Sequence, residues 1–549
     1  MLLSASDLKN LEKLKHELQN ETQSAKLENL AAALLGRLLG LSISIAKSGF
    51  QHGGDAGPAG RQERRFRIEC KKYSDKTSLS DRELLGEIDQ ALARDDALEA
   101  WILVATREVP EQLEQDLFQH GEKHGVPVVI IDWKNHELAS LAALCAFDPD
   151  LVEAEFSKEA GALARALQPI SADAIAMLRR DLQPWCLGFE TLRLRSHEKL
   201  DKIWSSPKTS NAELGQDAAG GAQEKRVKRS AVHQKLNSWW QGEARNDAPA
   251  AVVGLDGVGK TWATMDWLVN NKNEQPIILI VPSSATPQML SSISEISVKE
   301  FLANCLYQVT GVRNSEHWLR RLENLLERPE TEGPVLTVFF DGMNQEPSVK
   351  WSLLMKVLQS EVFCGRVRVI VSTRNHHFEE KLANLRALIV QAVTVVVDSY
   401  DRMPGGELDQ MLAFEGLSQT DLHSGLIELA RIPRLFKLVV RFRSTLVEAN
   451  QVTVHRLLWE YGRDTLGERA ETSFSERDWR HWLKEIAGKY RDGISLTSIK
   501  ELSETTSRPD LTEREVYARL SDIIDGPFAH FDSSGNLNLS DTIVEHALG

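Results

Sequence analysis

The chain opens on helical spacing. In "KLENLAAALLGRLLG", residues 26–40, apolar side chains recur every three or four positions, the period of one helix face. The period then drops to two. In "RRFRIECKKY", residues 64–73, Phe66, Ile68 and Cys70 alternate with Arg67, Glu69 and Lys71, as in a strand that sends alternate side chains to opposite faces. "LSDRELLGEIDQALARDD" returns to helix, with Ser80 as its predicted cap. "EAWILVAT" is a strand, "PEQLEQDLFQHGEKHG" a helix with proline in its first turn, and "VPVVIIDW" a strand. Residues 1–150 therefore read as a small α/β domain with helices on a mixed sheet.

Residues 151–205 carry helical patterns and no strand signal. The segment "SSPKTSNAELGQDAAGGAQEKRVKRS" then loses its period and gathers Gly, Ser, Ala and charge. That composition predicts a mobile linker or exposed loop, so 151–230 is a helical connector and linker. From 231 to 400 five strand patterns alternate with helices: "AAVVGL", "PIILIVPS", "VLTVFFDG", "RVRVIVSTR" and "VTVVVDSY". Alternation of this kind predicts a parallel sheet. Residues 401–450 form a helical lid. Residues 451–549 are mostly helical and close in "FAHFDSSGNLNLS", two short strands around a turn, which suggests a winged helix.

Composition sets outer limits. A chain of 549 residues exceeds one core and predicts a multidomain α/β protein. Its charged, helical start is unlike a signal peptide, and its apolar runs are too short to span a bilayer. Five scattered cysteines, with no Cys-x-x-Cys pair, suit a reducing compartment and no structural zinc. A cytoplasmic protein with no membrane partner is expected. The net charge of −14 argues against coating nucleic acid along the whole surface, but permits a local basic cleft.

"GLDGVGKT", residues 254–261, satisfies G-x-x-x-x-G-K-[ST] in full, after an apolar strand and before a helix. Gly257 and Gly259 let the backbone wrap a phosphate, and the amides of the helix start point at it. Lys260 would reach the β and γ phosphates, and Thr261 would hold Mg²⁺. Asp341 ends the run "VLTVFFDG", where a carboxylate can serve the Mg²⁺ shell. The following Asn344 and Gln345 can orient a water but cannot take its proton, which predicts slow hydrolysis. Arg374 ends another strand and is placed to sense a γ-phosphate. A guanine site needs Asn-Lys-x-Asp after a late strand. The nearest match, "NKNE", comes directly after the first helix of this unit, so ATP is expected.

Gly254 to Thr261, Asp341-Gly342, Arg374 and Pro433, followed by the winged-helix-like end, resemble the STAND branch of the AAA+ ATPases, which includes NACHT proteins. The resemblance covers about residues 230–549. It implies a nucleotide-binding set of Gly254, Gly257, Val258, Gly259, Lys260, Thr261, Trp262, Asp341, Arg374 and Pro433. It places the proline against adenine and makes ATP binding drive assembly of several subunits. The residues after Asp341-Gly342 depart from the acidic ending usual there.

Glu69 and Lys71 share one face of their strand. Two or three carboxylates that hold a divalent ion, with a lysine beside them, meet the need of a nuclease. "GGDAG" offers Asp55, which a hairpin would bring to Glu69, with Arg61, Arg64 and Arg65 near the DNA backbone. The other reading of Glu-x-Lys is a surface salt pair on an edge strand. Asp55…Glu69-x-Lys71 resembles the PD-(D/E)xK nuclease superfamily, with Gly54 where a proline is usual. The resemblance adds Glu28 on the first helix and Gln90 on the next, the latter as in the Mrr-like branch. It implies Asp55 and Glu69 as metal ligands in a double-stranded DNA endonuclease domain.

A nuclease joined to a STAND ATPase resembles the antiviral STAND (Avs) proteins. That resemblance implies ATP and Mg²⁺ as cofactors, double-stranded DNA as substrate, and a phage terminase or portal protein as trigger. It also implies an active homo-oligomer, a tetramer. In that family a carboxyl-terminal repeat array senses the phage protein; here the sequence ends at "DTIVEHALG" with no array following. Two other classes fit less of the sequence. One is an ATP-dependent scaffold whose nuclease-like domain is inactive. The other is a DNA restriction or repair motor, which the lack of helicase motifs disfavours.

Overall fold

A computed structural model describes residues 3–466, apart from 22, 47–53, 59–65, 78, 96–97, 135–137, 222–225, 243–247, 287–292, 347, 376–391, 449 and 451, together with 529–531 and 537–539. Arg61, Arg64, Arg65 and most of the winged-helix segment lie outside these residues. The described part of that segment includes one antiparallel pair, Ala529–Phe531 with Leu537–Leu539.

The first unit is a five-stranded mixed sheet in the order β1 (Ile43–Ile45), β2 (Ala56–Pro58), β3 (Phe66–Lys71), β4 (Ala100–Ala105), β5 (Val128–Ile131). β1–β2 and β2–β3 pair antiparallel, β3–β4 and β4–β5 parallel. Sequence patterning missed β1 and β2, each only three residues long. β4 is buried along its whole length because helices cover both faces. Ala100, Ile102 and Val104 pack with α1 (Ala5–Asn20) and α2 (Ser24–Leu39). Trp101, Leu103 and Ala105 pack with α3 (Asp81–Arg94) and α4 (Glu111–Lys123). α3 starts where expected, since Ser80 Oγ accepts a hydrogen bond from the Glu83 amide.

Helices follow without strands from α5 (Ser140–Phe147) through α6 (Pro149–Glu155), α7 (Lys158–Leu167) and α8 (Ala172–Asp181) to α9 (Phe189–Ser205) and α10 (Pro207–Leu214). The segment expected to be a mobile linker is in fact built in as far as Gly221. Ser206 caps α10, and Ala218 is buried. Its lack of period hides an order that distant tryptophans impose.

The second unit carries a parallel sheet in the order β10 (Val393–Val396), β6 (Ala250–Gly254), β9 (Val367–Arg374), β8 (Leu336–Asp341), β7 (Ile277–Pro282). All five expected strands form. α11 (Ser230–Gln241) precedes the sheet, and α12 (Lys260–Asn270) follows β6. α13 (Glu295–Thr310), α14 (Ser315–Leu326) and α15 (Trp351–Leu358) supply the large core on one face. β6 lies between β9 and β10, so the carboxyl ends of β6, β8 and β9 open on one crevice. The helices Glu407–Phe414, Ser424–Ala430 and Pro433–Glu448 form a separate small core. The two larger units touch at Arg195, whose Nε lies 2.9 Å from Glu122 Oε1, and at Arg313, whose Nε donates to the His124 carbonyl at 2.8 Å. No helix among the described residues is long and apolar enough to cross a membrane.

Candidate functional site

The turn after β6 is shaped by glycines that other residues could not replace. Gly257 and Gly259 take φ of 72° and 87°, in the left-handed region. A Cβ on Gly254 would strike the Val397 carbonyl. Val258 is buried under the loop, and Gly259 caps α12, so the free amides of the helix start face the crevice. Lys260 Nζ donates to the carbonyls of Gly254 at 3.2 Å and Leu255 at 2.8 Å. Burial lowers its pKa to about 8, with Asp256 opposing the fall. An ammonium so desolvated gains from an anionic partner.

Thr261 Oγ1 donates to Asp341 Oδ1 at 2.7 Å, and Ser372 Oγ donates to the same oxygen at 2.6 Å. Asp341 is buried, and burial pushes its carboxyl above the usual range. A hydroxyl and a carboxylate this close, at the mouth of a phosphate loop, fit Mg²⁺, which takes hard oxygen ligands. Arg374 stands 3.5 Å from Asp256, and its buried Nε has no hydrogen-bond partner among the described residues. Asn344 Oδ1 accepts from the Arg374 amide at 3.2 Å. Trp262 Nε1 donates to the Ala219 carbonyl at 3.2 Å.

Pro433 lies over Gly259, and the Arg434 amide donates to the Gly257 carbonyl at 3.2 Å. Arg434 Nη1 also reaches Asp256 Oδ2 at 3.0 Å. Arg434 escaped the sequence reading, although a signal existed. A cation in the first turn of a helix opposes the helix dipole, and its usual remedy is a local anion.

At the first sheet, Asp55 precedes β2 and its Oδ2 accepts from the Cys70 amide at 2.8 Å. Lys71 Nζ lies 2.7 Å from Glu69 Oε1 and 2.8 Å from Glu83 Oε1 on α3. β3 is the third of five strands, and Glu69 is 4% exposed, so a surface salt pair on an edge strand is excluded. Burial and then the Asp55 charge push the Glu69 carboxyl up to about 7. Burial also raises Asp55, against the Cys70 amide and Lys71. Glu28, half-buried on α2, is raised by burial and by Asp55. Burial alone would lower Lys71, but its bonds to Glu69 and Glu83 hold it above the ordinary lysine value. The Asp55 charge thus reaches both Glu69 and Glu28.

Asp55, Glu69 and Lys71 are thus brought together, and Glu28 lies within electrostatic reach of Asp55. Gln90 is not. It lies exposed on α3 and bonds none of them. The α3 residues that act here are Glu83, through Lys71, and Glu87, whose charge reaches Glu69. His376 and His377 lie outside the described residues. A cavity of about 640 Å³ lined by Glu99, Lys299, Arg320 and Arg366 includes no residue of either site.

No family model matches the chain, and no curated protein matches it. Among solved structures, a Walker-type ATPase of Pyrococcus abyssi is similar at 16% identity and a TM-score of 0.29, over 59% of this chain and 97% of its own. Cdc6p of Pyrobaculum aerophilum is similar at 11% identity and a TM-score of 0.29, over 60% and 95%. The Orc1 protein of Aeropyrum pernix, solved in complex with DNA, is similar at 16% identity and a TM-score of 0.29, over 59% and 93%. Similarity this low carries no weight for function. The chain's own geometry defines a P-loop nucleotide-binding fold of the Walker type: the glycine turn on β6, Lys260 and Thr261 at the start of α12, and Asp341 beside them.

Proposed function

We propose that this protein is an ATP-gated, Mg²⁺-dependent double-stranded DNA endonuclease of anti-phage defence. The observation that carries the nuclease reading is the pairing of buried Glu69 with half-buried Lys71 beside Asp55, on a central strand. Asp55 and Glu69, with Glu28 behind them, would hold Mg²⁺. When bound, the ion supplies the positive charge that polarises a scissile phosphate and acidifies a water. Lys71 keeps its proton and offsets charge that develops on the phosphate. Glu83 steadies that ammonium.

In the nucleotide crevice, Lys260 would hold the β and γ phosphates. Thr261 and Asp341 would hold the second Mg²⁺. Arg374 would sense the γ-phosphate. Asn344 is engaged by the Arg374 amide and is no base, which supports slow turnover and a long-lived ATP state. A homo-oligomer, a tetramer by the resemblance, would gather several nuclease clefts and gain avidity for DNA. A phage terminase or portal protein as trigger rests on that resemblance alone.

The test is plasmid cleavage by the full chain with Mg²⁺, with and without ATP. Linear or nicked product that requires both supports the proposal. Uncut plasmid from a protein that binds ATP and assembles would replace it with a scaffold.

A further inference from the structure

The connector between the two units enters the nucleotide crevice. α10 ends at Gly215, whose φ of 69° turns the chain inward. The side-chain nitrogen of Gln216 then lies 2.9 Å from Thr261 Oγ1 and 2.9 Å from Asp341 Oδ2. Asp341 is acceptor-only when ionised, and Thr261 gives its own proton to Asp341. Both oxygens therefore present lone pairs to Gln216, which fixes its NH₂ toward them.

These are the oxygens assigned above to Mg²⁺. The Gln216 nitrogen sits between the two oxygens at 2.9 Å from each, so a dication bridging them would meet its N–H hydrogens and the two compete for the place. The rest of the segment is clamped while Gln216 is seated. The Ala218 amide donates to Ser210 Oγ at 2.7 Å, and the Gly220 amide to the Trp204 carbonyl at 2.9 Å. A Cβ on Gly220 would overlap the Trp204 ring, which lies tilted against Trp262 at the start of α12 with ring centres 5.5 Å apart. Upstream, α9 carries Arg195, which bonds Glu122 of the first unit.

We propose that Gln216 is a latch: it seats the connector in the crevice until Mg²⁺-nucleotide takes its acceptors and expels residues 215–221. The proposal deepens the nucleotide-switch reading and rests on it. It assigns the connector the task of reporting the loaded state to the covalently linked first unit.

Hydrogen–deuterium exchange of the full chain tests it, together with calorimetry of nucleotide binding. Mg²⁺-ATP should raise exchange in 215–221, whereas ATP with EDTA should not. Gln216→Ala should exchange fast there without nucleotide. It should bind Mg²⁺-ATP roughly three- to tenfold more tightly, the worth of the bonds no longer broken. Gln216→Met keeps the length without the donors and should behave alike if the alanine variant folds poorly. Weaker binding by both variants would make Gln216 a metal ligand and overturn the latch. Nucleotide binding with unchanged exchange would also overturn it, while leaving the phosphate site standing. A wild-type chain that binds no nucleotide would remove both.

Discussion

Arg434 Nη1 lies 3.0 Å from Asp256 Oδ2, so the first turn of the helix Pro433–Glu448 is tied to the phosphate loop. Arg374 approaches the same carboxylate oxygen at 3.5 Å from β9. Two guanidiniums therefore converge on one carboxylate beside the place of the phosphates. A γ-phosphate would compete with Asp256 for both. Arg434→Ala should weaken ATP binding about tenfold, a loss of about 1.4 kcal/mol that calorimetry resolves, and ADP binding less. Equal losses for the two nucleotides would show that Arg434 only props the lid.

The Glu69–Lys71 pair makes a separable prediction. Lys71→Ala and Glu69→Gln should each abolish DNA cleavage and leave ATP affinity unchanged. Glu83→Gln should reduce cleavage less, because it steadies Lys71 without touching the cation. Wild-type cleavage by Lys71→Ala would remove the nuclease assignment.

Glu69 also sets a pH dependence. Its folded-state pKa of about 7 stands above the usual carboxylate value. Below that pH a proton competes with the divalent ion. Mn²⁺ affinity, measured on Asp341→Asn protein to remove the metal-holding carboxylate of the nucleotide site, should rise up to about tenfold per pH unit below 7 and level off above. Glu69→Gln should bind weakly at every pH. The proton and the ion then no longer share a ligand.

His317 predicts a loss of stability in acid. It is buried on α14, and burial with Arg313, Arg321 and Arg320 lowers its pKa from 6.5 to about 3. The unfolded chain takes up the proton and the folded one does not. The stability is fully present above 6.5 and is lost as pH falls toward 3, by up to about 1.4 kcal/mol per pH unit. Thermal denaturation between pH 8 and 5 should show a shallower decline for His317→Leu than for wild type. Equal slopes would mean that other groups dominate acid unfolding.

The legible parts of the sequence were those whose constraints are local. A phosphate loop must place glycine where φ is positive, so Gly257 and Gly259 announced it. Strands buried on both faces, such as β8 and β9, appear as apolar runs whatever packs on them. Asp55 and Glu69 could be joined because a short hairpin links them. Other features depend on distant partners and leave no local trace. Gln216 sits in a polar, aperiodic stretch, and its place is fixed by Thr261, Asp341 and Trp204. Gln90 was assigned by resemblance, whereas helix phase and length bring Glu83 to Lys71 instead.

In the proposed mechanism, nucleotide gates cleavage. The most direct measurement compares plasmid linearisation by wild type and Lys260→Ala, with Mg²⁺ and either ATP or a non-hydrolysable analogue, and with the trigger protein where assembly needs it. Wild type should cut equally well with ATP and the analogue, and Lys260→Ala with neither. Gln345→Glu should shorten the active period by restoring an acid near the attacking water, since a well-placed base contributes roughly 10²–10⁴-fold. An analogue that binds but supports no cutting would show that hydrolysis is required. Cutting by Lys260→Ala at the wild-type rate would show that nucleotide does not gate the nuclease.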